Sequence, residues 1–347
     1  MFGKLGKQYA AQLGDAIEGF ANSKLPGAGA EGSRAIEKPL EALTSITGKR
    51  KALLIGINYF GTQSELRGCI NDVRNIKAFL EQQYKLDEVM VLTDDQTGDP
   101  SKMPTRANIL NGFRWLNQGA KSGDSLIMHY SGHGGSVRDK DGDEEDGNDE
   151  TLCPVDYDSA GQILDDDVHE ALVKGIPDGV RLTAIMDCCH SASILDLPYT
   201  YNVNGDLEII AFDKNKGISK IFASGVKLAL GDKTAGMRGI QEGFKMIMSG
   251  GGGDSGAQAK SVATRTTNAD IIMFSGCQDS QTSADASIGG EATGAMSFAL
   301  IKALKENPHM DYTHLLGRMR EILKDQYTQV PMMSAGRKLK LESAFTL

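Results

Sequence analysis

The 347-residue chain lacks a basic excess: 37 Lys and Arg stand against 46 Asp and Glu, for a net charge of −9. That balance disfavours nucleic-acid and anionic-membrane binding, both of which depend on clustered cations. The chain also lacks any stretch near the roughly 18 uncharged apolar residues a spanning helix needs. Asp15 and Glu18 fall where a signal peptide would place its apolar core. We therefore expect no membrane association and a cytoplasmic or nuclear address. A disulfide framework is missing too, because the five cysteines at 69, 153, 188, 189 and 277 include an adjacent pair and an odd thiol. A reducing compartment fits that pattern. No Gly-Lys-Ser/Thr phosphate loop and no internal repeat is found.

What is present is ordinary soluble composition, 40% apolar and 24% charged, with one local anomaly. Eight acids and one lysine crowd into Asp139 to Glu150, so most of the net charge sits in twelve residues. Residues 2–20 place Phe2, Leu5, Tyr9, Leu13, Ile17 and Phe20 on one helical face, and Asn22 to Gly32 reads as a Gly/Ala-rich linker. From Lys51 the pattern alternates: strand KALLIGI, helix Asp72 to Tyr84, strand EVMVL, helix Thr105 to Gln118, strand DSLIMHY, helix Asp167 to Lys174, strand RLTAIMD. An insert over about 214–265 ends in SGGGGDSG, read as a flexible linker. Strand ADIIMFSG and helices Thr293 to Lys305 and Tyr312 to Leu323 follow. Alternating apolar strands and amphipathic helices predict an α/β, three-layer α/β/α domain with a mostly parallel sheet covered on both faces.

Two strands end in unusual chemistry, and in parallel sheets ligands gather at carboxyl ends. DSLIMHY runs into Ser131, Gly132, His133, Gly134 and Gly135; RLTAIM runs into Asp187, Cys188, Cys189, His190 and Ser191. A histidine between glycines lies on tight backbone that a substrate can approach. A strand-end cysteine is a candidate nucleophile, yet with an ordinary thiol pKa near 8.5 it needs a nearby base, and His133 is the candidate. Cys188, Cys189 and His190 are consecutive and diverge, so zinc is not expected.

These motifs carry a specific resemblance. YSGHG (Tyr130 to Gly134) and DCCHS (Asp187 to Ser191) occur with GINYFG (Gly56 to Gly61), GCINDV (Gly68 to Val73), PVDYDSAGQILDDD (Pro154 to Asp167), DLPYTY (Asp196 to Tyr201) and SGCQDSQTSAD (Ser275 to Asp285). Together they resemble a type I metacaspase, a calcium-dependent cysteine peptidase of caspase-like fold that cleaves after Arg or Lys. The resemblance runs from about Lys51 to Leu347; the first fifty residues lack the family's Pro/Gln-rich or zinc-finger prodomain. It implies His133 as general base, Cys189 as nucleophile, and backbone N–H groups of Gly134 and Cys189 as the oxyanion hole, with Cys188 at a variable position. The family has glycine after the His-Ser pair, where this chain has Ala192.

The resemblance also implies Asp72 and Asp187 as acids of a pocket for Arg or Lys, with Cys69 and Ser131 beside them. A cationic side chain does need a carboxylate at its base. From the residues alone, Asp72 equally suits a helix start and Asp187 suits orienting backbone. Asp139, Asp141, Asp143 and Glu150 match positions 1, 3, 5 and 12 of an EF-hand loop, but Glu144 replaces the glycine at position 6. The resemblance places Ca2+ instead on Asp149, Asp165, Asp166 and Asp196, leaving the early acids as a solvated loop. Two carboxylates about 4 Å apart repel by about 4 kcal/mol at an effective dielectric of about 20. Four converging acids therefore imply a cation, and all-oxygen ligands favour calcium over zinc.

The expected organisation is an N-terminal helical extension and linker over 1–47, then one peptidase domain over 48–347 that contains the insert. The extension is read as a regulatory strap, and the insert's nine Lys and Arg as candidate autocleavage sites. The expected function is a calcium-activated, autoprocessed cysteine endopeptidase acting as a monomer on protein or peptide substrates with Arg or Lys before the scissile bond. Two rivals remain: a calcium-responsive scaffold or aggregate-binding protein, and a peptidase cleaving after Asp. The intact set His133, Cys189 and Asp72 speaks against the first, and the acids of the pocket against the second.

Overall fold

In this computed structural model the described residues are 45–138, 148–188, 194–195, 197, 199–203, 207–211, 269–277, 286–288, 291–324, 330–337 and 339–347. The predicted helix over 2–20, the linker after it, the acids at 139–147 and the insert lie outside them. The chain runs β1 (Arg50–Gly56), α1 (Cys69–Gln83), β2 (Glu88–Thr93), α2 (Arg106–Asn117), β3 (Ser125–Ser131), β4 (Gly134–Arg138), β5 (Asn148–Leu152) and β6 (Ile163–Leu164). It continues with α3 (Asp165–Val168), β7 (Arg181–Asp187), β8 (Tyr199–Val203), β9 (Leu207–Ala211), β10 (Asp270–Cys277), β11 (Ala286–Ile288), β12 (Glu291–Thr293), α4 (Ala295–Glu306), α5 (Tyr312–Leu323) and β13 (Val330–Ala335).

Strands covered on both faces must be apolar throughout, and β1, β3 and β7 are buried along their whole length except at Arg50. Among the described residues they join an eight-stranded sheet in the order β2-β1-β3-β7-β10-β13-β8-β9. The first five of these strands pair in parallel, and the last three join antiparallel. Alternation sorts the core into two layers. Ala52, Leu54, Ile127 and Ile185 pack with Val73 and Ile76 of α1, Met296 and Leu300 of α4 and Leu315 of α5. Leu53, Ile55, Met128 and Met186 pack with Ile109 and Phe113 of α2 and Val168 of α3. This is the expected three-layer arrangement. Among the described residues no helix is long and apolar enough to cross a membrane.

Several boundaries differ from expectation for readable reasons. α1 starts at Cys69, three residues before Asp72, and α4 starts at Ala295 because Gly294 is extended and caps it. The predicted helix over 167–174 begins at Asp165 and passes into a π-helical turn, His169–Val173. Glu150, read as loop, lies in β5, because Asn148–Leu152 pairs with β4 on one side and β6 on the other.

At the amino edge of the sheet, Asp270 and Arg181 face each other across β10 and β7. The fully buried Arg181 guanidinium donates to Asp270 Oδ2 through Nε (2.9 Å) and to the Thr346 carbonyl through a terminal nitrogen (2.7 Å). Removing the acid strands a buried cation, which costs about 3–5 kcal/mol. Asp270→Ala is therefore expected to lower the unfolding free energy by that amount, measured from the urea midpoint.

Candidate active site

The order β2-β1-β3 contains a switch point: the chain steps from β1 through α1 to β2 in one direction, then through α2 back to β3 on the other side of β1. Helices α1 and α2 cover opposite faces, so the segments leaving β1 and β3 diverge and open a crevice at their carboxyl ends. Register sets Gly56 beside Ser131 and Ser131 beside Asp187. A Cβ on Gly56 would lie 2.7 Å from the Cys69 carbonyl, so glycine here is what lets the start of α1 settle onto the end of β1. Asp72 is thereby carried over the end of β3.

His133 is held from the α2 face. The buried Asp94 carboxylate, after β2, accepts the N–H groups of Asn58 (2.9 Å) and Tyr59 (2.7 Å). Burial raises its pKa and these amides oppose the rise. They fix Tyr59 at φ +54°, the only positive φ outside glycine among the described residues. The Tyr59 hydroxyl accepts the His133 N–H (2.9 Å) and donates to the Cys153 carbonyl (2.7 Å), while the Tyr130 hydroxyl donates to the His133 carbonyl (2.8 Å). Burial pushes both phenols well above their ordinary pKa, so they stay hydroxyl donors. The imidazole lies against the Tyr59 ring at 4.7 Å, and its Nε2 is 2.8 Å from the Ser64 carbonyl. A carbonyl only accepts, so Nε2 bears the proton and Nδ1 is the basic nitrogen of a neutral ring.

His129 precedes His133 by four residues, a spacing that on a helix would pair two metal ligands. On a strand and turn it does not: His129 Nε2 meets Ser297 Oγ at 2.9 Å, while His133 meets Ser64. Gly134 opens β4, opposite Leu152. Cys188 is buried in the layer beneath α2 and serves packing. Cys189 and Ala192 lie outside the described residues.

The acids gather on the opposite face. Asp72, 1% exposed, accepts the hydroxyls of Ser131 (2.7 Å) and Thr293 (2.5 Å) and the N–H of Gly294 (2.7 Å). Its oxygens therefore serve distant chain, and α1 starts at Gly68 with no side-chain cap. Asp187 accepts the N–H of Ser297 (2.8 Å), and a Cβ on Gly294 would collide with its carboxylate. It thus orients backbone at the start of α4, as the residues alone allowed. Cys69 is buried at the start of α1. Burial first, then the neighbouring Asp187, raises Asp72 to about 7, against the pull of Thr293, Ser131 and Gly294; burial likewise raises Asp187. Since the folded value exceeds the unfolded one, this pair favours folding at acid pH, and that contribution is lost as pH rises from the ordinary value of 3.8 through about 7.

Thr293, Gly294 and Ser297 were not anticipated. They lie more than 100 residues from Asp72 and Asp187 and read locally as the start of a helix. Asp94, Tyr59 and Ser64 were likewise missed, although a tyrosine followed by Phe60-Gly61 marks a turn.

Of the four acids matched to calcium, Asp165 is buried, its oxygens accepting the N–H of Glu150 (3.1 Å) and of Asp166 (2.9 Å), and Asp166 is exposed. Asp149 lies next to Glu150 in β5; its side chain and Asp196 are outside the described residues. His169 Nδ1 donates to the Leu195 carbonyl (3.1 Å), which brings the chain next to 196 near the end of α3. Asp167 instead pairs with Arg106 at 2.5 Å. The donor chemistry, carboxylate and backbone oxygen without sulfur or imidazole, fits a hard cation. Among the described residues no three His, Cys, Asp or Glu gather around a metal position. A separate open depression of about 750 Å³ lies along α2 and the His169–Val173 turn, lined by Trp115, Glu170 and Lys174 but by none of His133, Asp72 or Asp187.

Residues 50–198 match the family model for the metacaspase peptidase C14 domain. The chain is 48% identical over 308 residues to Metacaspase-1 of Ajellomyces capsulatus, covering 88% of this chain and 84% of that protein. It is 45% identical over 308 residues to Metacaspase-1A of Neurospora crassa, covering 88% and 66%. Against Metacaspase-1 of Mycosarcoma maydis it is 45% identical over 309 residues, covering 88% and 74%. A solved structure of a Geobacter sulfurreducens protein superposes with a TM-score of 0.50 at 22% identity, over 86% of this chain and all of the other, a likeness of fold.

Proposed function

Because the chain belongs to the metacaspases, cysteine peptidases of the C14 family, we propose that it is a calcium-activated endopeptidase that cleaves after Arg or Lys. The observation that carries the specificity is the buried pair Asp72 and Asp187, converging on Gly294. Two carboxylates held in low dielectric repel each other. A guanidinium or ammonium placed between them relieves that repulsion and gains charge-assisted hydrogen bonds.

In this reading Cys189 Sγ gives its proton to His133 Nδ1, the nitrogen left basic by the Nε2–H···Ser64 hydrogen bond. The thiolate attacks the carbonyl carbon after the basic residue, and the oxyanion meets the N–H groups of Gly134 and Cys189. His133 then protonates the departing amine, and water, deprotonated by the same histidine, hydrolyses the thioester. Tyr59 and Tyr130 keep the His133 backbone fixed throughout.

Asp149, Asp165, Asp166 and Asp196 would hold calcium. The ion supplies two positive charges and a preference for six to eight oxygen ligands, which offsets repulsion among these acids. The His169–Leu195 hydrogen bond would pass order at that site to the chain following Cys189.

Hydrolysis of fluorogenic peptides ending in Arg, Lys or Asp, with calcium and with chelator, tests the proposal. Arg and Lys peptides should be cleaved only with calcium; equal rates with chelator would refute calcium activation, and preference for Asp would refute the pocket. Ionised Asp72 binds the cationic side chain, so the KM for an Arg peptide is expected to fall as pH rises through about 7. An initial-rate series across that range measures it.

A further inference from the structure

Behind the acid pair, on the side away from a substrate, lies a histidine that the reaction does not use. His129 is fully buried in β3, two residues before Ser131 and on the same face. Its Nε2 is 2.9 Å from Ser297 Oγ, and its Nδ1 has no partner. Ser297, in the first turn of α4, is bonded to Asp187 twice, through its N–H at 2.8 Å and through its hydroxyl. A continuous file therefore runs from His129 through Ser297 to Asp187.

Proton placement along this file has two solutions. In one, Nε2–H donates to Ser297 Oγ, the serine hydroxyl donates to Asp187, and the carboxylate is a pure acceptor. In the other, protonated Asp187 donates to Oγ, the hydroxyl donates to Nε2, and the histidine proton sits on Nδ1. The second leaves a buried N–H with nothing to donate to, whereas the first leaves only a lone pair unmatched, and orphaned buried N–H groups are the rarer and costlier case. Burial keeps His129 neutral, with its pKa pushed down to about 3, so a doubly protonated ring is not a third solution.

We infer that His129 and Ser297 are positioning residues for specificity: they feed a hydrogen bond into the back of Asp187 and hold it as an acceptor aimed at the basic side chain of the substrate. This deepens the Arg/Lys reading and rests on it. It also separates the two acids. Asp72 is served by Ser131, Thr293 and Gly294, and Asp187 by α4 and, through Ser297, by His129. The titratable groups around Asp187 are Asp72 from α1, His129 from β3 and the adjacent Cys188 thiol; α4 contributes amides and one hydroxyl.

The test uses the full chain and an Arg peptide, with KM and kcat measured between about pH 5 and pH 9. Ser297→Ala and His129→Leu should raise KM about tenfold at neutral pH, the loss of one hydrogen bond to a charged group. They should also move the acidic limb of KM upward by about one pH unit, with kcat at saturation changed less than about threefold. His129→Gln places an amide donor at the Nε2 position and should restore both values. An unmoved limb in Ser297→Ala and His129→Leu, with wild type still preferring Arg, would overturn the inference alone. Absence of any Arg or Lys preference in wild type would overturn the pocket reading and this inference with it. A second measurement needs no variant: 15N spectra of the histidine-labelled wild type, with His129 identified as the ring that stays neutral at about pH 5. An Nε2–H tautomer supports the file as drawn, and an Nδ1–H tautomer overturns it.

Discussion

Cys189→Ala is expected to lower kcat/KM for an Arg peptide by at least about 10⁴-fold, and His133→Ala by a similar factor, because nucleophile and base act as one unit. For the same reason the double variant should be no worse than either single one. Cys188 supplies the contrast. It is buried among Met186, Leu195 and Tyr130, so Cys188→Ala should cost about 1 kcal/mol of stability through lost packing and leave turnover nearly unchanged. The comparison is made with paired kinetic and urea-unfolding measurements. Activity that survives Cys189→Ala but not Cys188→Ala would reverse the assignment.

Asp72→Asn is expected to do the opposite to stability and activity. The amide keeps the shape of the group: its oxygen can still accept from Thr293 and Gly294, and its NH₂ can donate to Ser131. What disappears is the charge. Deleting one member of a desolvated charge pair costs about 2–5 kcal/mol, so kcat/KM for Arg and Lys peptides should fall about 10²- to 10³-fold. Above pH about 7, where ionised Asp72 faces Asp187 in the empty pocket, the variant should unfold at equal or higher urea concentration than wild type. Loss of activity with a gain in stability marks a group held in strain for function. If Asp72 served only the fold, Asn would instead lower stability and leave the preference for Arg over Asp peptides intact.

The central strands were legible because burial on both faces demands uninterrupted apolar residues, as in LLIG of β1 and LTAIM of β7. The outer strands were not. β13 contains Pro331, which argues against a strand in local terms, yet it pairs with Gly276 near the strand's start, where a missing N–H is tolerated. Asn148–Leu152 carries Asn, Asp and Glu, poor strand formers that β4 and β6 nevertheless recruit. At the site, His133, Asp72 and Asp187 were visible because they end or follow strong periodic segments. Their supports were invisible because contacts such as Thr293–Asp72 span 221 residues, a distance over which no local pattern carries information. His129 was the exception that could have been found: a polar residue inside an apolar strand, two steps from Ser131, must share that residue's face.

The alternation along β3 has an evolutionary consequence. Odd positions 129 and 131 serve the acids through α1 and α4, whereas even positions 128 and 130 belong to the layer that steadies His133. Selectivity and proton transfer thus draw on interleaved but separate sets of side chains in a single strand. Substitutions can retune which residue is cut without touching the base, or weaken the base without changing preference. A one-residue insertion or deletion within Ser125–Ser131 would exchange the two sets and cancel both at once. This strand is therefore free to vary in identity and constrained in length.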